Sequence, residues 1–229
     1  MSPTIVVARM SIREVWRRRG VLILLVLLPL AFYLVRRDQQ GQSIRMLALG
    51  LGWAVSTLAL FSSAAARSVE YRLRVTGYRT RQLLLGRLLA ITACGLMLAA
   101  IYGTLIAFDQ DVNRIWAVEL ILVTTVMIAA PLGAVLAAFV PGELEGALAL
   151  LTVLATQMLA DPAGAIAKSL PFWSTREIGT FAIDATGSDY LARGLAHFLA
   201  TWILLTVGAV AISAIRLRLV RLPEPARMA

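Results

Sequence analysis

The chain has 229 residues, of which 59% are hydrophobic and 15% charged, with a mean hydropathy of +0.80. That balance excludes a soluble globular domain and requires a polytopic membrane protein. The net charge of +9 does not mark a nucleic-acid binder, because the arginines stand at the ends of apolar runs, where they anchor and orient membrane helices. One cysteine, Cys94, lies inside an apolar run, so neither an intrachain disulfide nor a cysteine metal framework is available.

Residues 4–19 read as an amphipathic helix in the membrane surface. At about 100° per residue, Ile5, Ile12, Val15 and Trp16 share one arc and Arg9, Arg13 and Arg17 the next. Residues 20–35 form a short first span containing Pro29, which predicts a kink. It ends in Phe32, Tyr33 and Arg36 without a small-residue cleavage site, so it reads as a retained helix rather than a signal peptide. A polar loop at 36–45 leads to a second span at 46–66.

Residues 67–87 are a basic island carrying six arginines: Arg67, Arg72, Arg74, Arg79, Arg81 and Arg87. A third span follows at 88–108, a short turn DQDVNR at 109–114, and a fourth span at 115–140 with Pro131 in its second half. The sequence PGELEG turns the chain at 141–146, a fifth span begins over 147–160, and the sixth runs over 195–215. The tail at 216–229 is basic and Pro-broken, without the pattern of a further domain.

Six spans place both termini on one side. With the N-terminus inside, the inner segments hold 15 basic residues and the outer ones seven: Arg36, Arg37, Arg45, Arg114, Lys168, Arg176 and Arg193. The positive-inside bias therefore predicts cytoplasmic termini and a cytoplasmic island. The connection at 161–194 is long for a compact protein. Phe172, Trp173, Ile178, Phe181 and Ile183 stand among its polar residues, which predicts one or two short helices dipping into the outer leaflet, with a surface loop capping the bundle as the plainer alternative.

Signatures of chemistry are scarce. The chain contains no Walker A loop, HExxH, paired-cysteine motif or EF-hand loop. His197 is the single histidine, and the polar residues near it, Asp184, Ser188 and Asp189, lack a GxSxG-like frame. Ionisable residues are nearly absent from the middle of the spans, where a proton- or sodium-driven carrier would need them. The expected energy source is a separate chain.

The stretch LRVTGYRTRQLLLGRLL at 73–89 resembles the cytoplasmic segment of ABC-2 type transporter permeases, where a pattern such as LRATPxSRxxLLLGKLL leads into the third span. Thr76, Arg79, Arg81, Leu83, Leu84, Leu85, Gly86 and Arg87 stand at matching positions, Glu70 stands where the family often has an acidic residue, and Gly77 replaces the family's proline. The resemblance implies an all-α integral membrane fold, a single transmembrane domain over 1–229. It would have six transmembrane helices, an N-terminal surface helix, a cytoplasmic coupling helix at 67–87 and short re-entrant helices before the sixth span.

The same resemblance implies a non-catalytic permease subunit of an exporter in the bacterial cytoplasmic membrane. Such a subunit pairs with a second permease chain and with an ATP-binding subunit that carries the ATP and magnesium. The residues implied at the ATPase contact are Glu70, Arg72, Leu73, Arg74, Thr76, Gly77, Tyr78, Arg79, Arg81 and Gln82; those implied at an external gate are Pro171, Phe172, Trp173 and Phe181. A lipophilic or amphipathic substrate is expected from the apolar bundle. Anionic-lipid binding by the island arginines, a haem-exporter-like permease, a membrane scaffold and an integral-membrane enzyme using residues near His197 stand as alternatives.

Overall fold

The computed structural model describes residues 2–140, 142–161, 164–184 and 186–217. The described residues form helices without strands: α1 Pro3–Arg17, α2 Arg19–Val35, α3 Gln40–Val75, α4 Thr80–Asp109, α5 Ile115–Phe139, α6 Glu143–Leu159, α7 Ala165–Ser169, α8 Trp173–Ile183 and α9 Ser188–Arg216. Of these, α3, α4, α5 and α9 are each long and apolar enough to cross a membrane. The pair α1 and α2, bent by 83° at their junction, makes a fifth candidate if it is counted as one broken span. Helices α2 and α6 have 17 residues each, about 25 Å against a hydrocarbon core of about 30 Å, and neither meets that length on its own. Of the tail at 216–229, only Arg216 and Leu217 lie among the described residues.

The long helices alternate in direction, so their connections gather at two ends. One end carries the 18, 76–79 and 217 junctions and is called the hairpin end below; the other carries 36–39, 110–114 and 160–187. Helix α5 is central, with 72% of its most apolar stretch buried by protein, whereas α9 is peripheral, with 17%. Between helices in lipid the hydrophobic effect supplies little, so close van der Waals contact through small residues does the work. At the α3–α5 crossing, Ser56 Oγ donates to the Ala129 carbonyl at 3.0 Å, with Ala59, Ala129 and Ala130 fully buried around it. A Cβ on Gly133 would fall 2.1 Å from the Ser56 carbonyl oxygen.

Several expected boundaries move. The polar loop at 36–45 is only four residues long, because Gln42, Ser43 and Arg45 continue into α3. The basic island at 67–87 is not a separate helix: residues 67–75 are the last turns of α3, residues 80–87 the first turns of α4, and only 76–79 form a turn. The physical reason is common to both. Polarity moves a helix out of the bilayer but does not end it: the single Gly41 of the first stretch is tolerated at the start of α3, and the second stretch has no breaker before Gly77. Residues 188–194, expected in the long connection, open α9, with Asp189 in its first turn.

Helix α1 lies against α4 and divides the expected arc: Val15 is buried and Ile12 half-buried, while Ile5 and Trp16 face outward. Val7 and Val15 are buried and Thr4, Ala8 and Ser11 half-buried, while Ile5 and Trp16 are 47% and 58% exposed. The packed face is the one with small side chains, because α1 approaches α4 so closely that a Cβ on Gly86 would meet the Thr4 carbonyl oxygen at 2.7 Å. Ile5 and Trp16, about 20° apart on the helical wheel, then form a second apolar arc free of protein.

Gly133→Val should place a branched side chain in the α3–α5 crossing and destabilise the fold by about 1–3 kcal/mol or more. Gly208→Val, at a site where a Cβ meets nothing within 4 Å, should change little. The thermal unfolding midpoints of the two detergent-solubilised variants check this.

Candidate functional site

The α3–α4 hairpin is built by its own local bonds. Helix α3 ends in a Schellman motif: Tyr78 N–H donates to the Leu73 carbonyl and Gly77 N–H to the Arg74 carbonyl, both at 3.1 Å. The motif requires a left-handed residue at its centre, and Gly77 supplies it with φ +100°. The Thr76 hydroxyl donates to the Leu73 carbonyl at 2.9 Å, and Arg74 Nη1 to the Tyr78 carbonyl at 2.9 Å. On the other side of the turn, Gln82 Oε1 accepts the Arg79 N–H at 2.9 Å, capping the start of α4. The glycine that replaces a proline therefore closes a defined turn. Proline could not stand there, because its ring holds φ near −65°.

Of the residues expected at a partner surface, Arg72, Thr76, Gly77, Arg79 and Arg81 are exposed, while Leu73, Arg74, Tyr78 and Gln82 are half-buried. Glu70 does not belong to that surface. It is 3% exposed and is enclosed by Arg87 of α4, whose Nη2 lies 2.8 Å from Glu70 Oε1, and by Arg216 at the end of α9, which donates to Oε2. Arg67, on the same face of α3, donates to the carbonyls of Ala137 and Val140, the latter at 2.8 Å, and so satisfies acceptors at the C-terminal end of α5. Arg67, Glu70 and Arg87, with Arg216, thus bind four helices together.

Two exposed apolar residues on the hairpin, Tyr71 at 60% and Val75 at 66%, were not singled out from sequence. The signal is the helical period. Once 67–75 is read as helix, Arg67, Glu70 and Arg74 fall at i, i+3 and i+7 on the inward face, and Ser68, Tyr71, Arg72 and Val75 fall outward. The outward surface carries Arg72, Arg79 and Arg81 without an ion pair among the described residues. It is a cationic tip with two apolar side chains, held at the end of two long helices.

The opposite end is a second polar region. Helix α8 is almost wholly buried and lies against α9, α5 and α3. Phe172, 2% exposed, rests on Gly52 of α3, where a Cβ would come within 3.1 Å of the ring. Thr125 and Thr175 share a buried hydrogen bond of 2.9 Å between α5 and α8. Arg114 donates to the Phe181 carbonyl at 2.8 Å and the Thr186 carbonyl at 3.1 Å and lies over the Phe181 ring at 4.2 Å. Arg45 pairs with Asp184 at 2.7 Å and Arg193 with Glu177 at 3.1 Å. Arg37 and the Tyr33 hydroxyl, the latter at 2.5 Å, converge on Asp109; that hydrogen-bonded carboxylate raises the Arg37 pKa above its ordinary value. Burial, then the nearby Arg45 charge, lowers that of Arg176.

The gate candidates are brought onto this element: Phe172, Trp173 and Phe181 are buried, and Pro171 half-buried before them. Among the described residues His197 makes no hydrogen bond to Asp184, Ser188 or Asp189. Its ring is edge-on to Trp173 at 5.1 Å, its Nε2 lies 3.1 Å from the Lys168 carbonyl, and its nearest hydroxyl is Thr201, one turn away on the same helix. Asp184 is turned to Arg45 instead. Among the described residues no group of three His, Cys, Asp or Glu side chains could hold a metal ion.

Glu70→Ala should leave the buried Arg87 guanidinium without a counter-charge and destabilise the protein by about 3–5 kcal/mol. Arg216→Ala should cost less, because Arg216 is 32% exposed and Arg87 still covers Glu70. Denaturation followed by circular dichroism ranks the two. Gly77→Pro should break the turn at a cost of about 1–3 kcal/mol and accelerate amide exchange at residues 73–78, read by mass spectrometry.

No protein-family model matches the chain, and no curated protein matches it.

Proposed function

We propose that the chain is the permease subunit of an ATP-driven exporter of the ABC-2 type, energised by a separate ATP-binding subunit that docks on the α3–α4 hairpin. The observation that carries this reading is the cationic tip: Arg72, Arg79 and Arg81 project with Tyr71 and Val75 from a turn that is continuous with two helices long enough to span a membrane. A soluble partner with an acidic cleft meets there a charged rim and an apolar anchor, the composition that gives docking both orientation and affinity. Because α3 and α4 run into the tip without a break, a displacement of the partner moves the bundle as a rigid body.

In this reading α2 and α6 complete a six-span bundle, the hairpin end is cytoplasmic, and 15 basic residues face seven across the membrane. Helices α7 and α8 are re-entrant elements of an external gate. Two copies of the chain, or this chain and a sister permease, form the pathway. ATP and magnesium belong to the partner, and the cargo is lipophilic or amphipathic.

Replacing Arg72, Arg79 and Arg81 together with glutamate should reduce the ATP-binding subunit retained on the purified permease by about tenfold and abolish substrate-stimulated hydrolysis, with membrane insertion unchanged. Copurification in a pull-down from co-expressing cells measures it. Undiminished retention of the ATPase would place docking elsewhere.

A further inference from the structure

The 83° bend between α1 and α2 encloses a feature that partner docking does not use. Inside the bend, between α2 and α3, lies an apolar slot of about 270 Å³, walled by Val21, Leu25 and Leu28 on one side and Trp53, Leu58 and Phe61 on the other. Along α2 it extends from Val21 to Leu28, about 10 Å. At the hairpin end it meets Glu14 and Arg18. These two residues also line a second, more polar cleft of about 600 Å³, to which α1 contributes Ser11, Arg13 and Arg17. A narrow apolar slot and a cationic cleft thus adjoin at Glu14 and Arg18, which line both.

We propose that this corner binds an anionic glycerophospholipid, one acyl chain in the α2–α3 slot and the phosphate among Arg13, Arg17 and Arg18. The charge balance selects the headgroup. Of the four guanidinium groups lining the cleft, Arg87 is engaged by Glu70, which Arg216 also holds, and Arg13, Arg17 and Arg18 are left against the single carboxylate Glu14 in the charge balance. The Glu14–Arg18 pair, at 2.8 Å, is a one-turn bridge with both side chains 49% exposed, so it is weak and yields readily to a phosphate. Arg13 and Arg17 have no ion pair among the described residues, and their planar donors match a phosphodiester. A choline headgroup would set a fourth cation beside them.

The apolar wall selects the tail. Leu25 and Leu58, 6% and 5% exposed, form the packed floor of the slot, and Leu24, 67% exposed, stands at the edge where it opens outward. Trp53, edge-on to Phe32 at 6.0 Å, forms part of its wall and supplies a reporter. The bound lipid fills the corner and joins the surface helix α1 to α2 and α3.

The test uses the full chain in nanodiscs containing an equal minor fraction of brominated phosphatidylglycerol or brominated phosphatidylcholine. The Trp53 signal is the difference between the wild type and Trp53→Phe. Brominated phosphatidylglycerol should quench it about fivefold more than brominated phosphatidylcholine, the factor for one basic contact at a membrane surface. The R17Q/R18Q variant should lose that preference while keeping the phosphatidylcholine response. Equal quenching in the wild type, or a preference that survives in R17Q/R18Q, would overturn the site. Should the double variant fail to insert, competition in the wild type decides: unlabelled phosphatidylglycerol should restore Trp53 emission, and equal restoration by phosphatidylcholine would refute the proposal. No ATPase enters the measurement, so its outcome is independent of partner docking.

Discussion

The structure depends on one buried carboxylate. Glu70 lies near the end of α3, and its two oxygens are taken by guanidinium groups from α4 and α9. Burying Glu70 and Arg87 carries a desolvation cost, and the arrangement holds because the two opposite charges are paired and the more exposed Arg216 adds a second partner. Its effect is specificity of position. Helices α3 and α4 are neighbours through the hairpin, but α9 returns from a distant part of the sequence and is largely exposed along its length. Arg216 fixes where its last turn rests.

The far end uses the opposite chemistry for the same purpose. There the charges lie nearer the surface and act pairwise, each arginine joining two segments: Arg37 to the end of α4, Arg45 to the end of α8, Arg114 to the α8–α9 connection and Arg193 back to α8. Seven basic residues on the side expected to be poor in them looks wasteful in a topology count. Four of them are engaged in holding the short helix α8 and the neighbouring helix ends. Between the two charged ends the bundle is held by small residues at crossings such as Ser56, Ala129 and Gly133.

Much of this was legible in the sequence. Apolar runs gave the helices, PGELEG marked the break between α5 and α6 although its residues 143–146 open α6 instead of turning, and Phe172, Trp173 and Phe181 marked a short buried element. The basic island was harder because charge and helicity are independent properties. Six arginines in 67–87 indicate departure from the bilayer, and they gave no sign that Arg67 and Arg87 would turn inward while Arg72 and Arg81 turned out. That division follows from the helical period together with the position of α9, and the second was not visible from local sequence. The apolar arc of α1 was legible but its division was not: close approach at Gly86 packed Val7 and Val15 inward and left the larger Ile5 and Trp16 outside.

Helix α3 has 36 residues, about 54 Å of uninterrupted rod, with its final turns tied to α4, α5 and α9. A rod of that length is a lever. A tilt of about 5° about the tethered end displaces the other end by about 5 Å, roughly one helical turn. Gly52, against which the Phe172 ring is seated, lies about 35 Å along the rod from the tethered end, so the same tilt shifts that seat by about 3 Å. The missing side chain at position 52 thus makes the seat sensitive to angle: the ring and the rod fit at one inclination and separate at another.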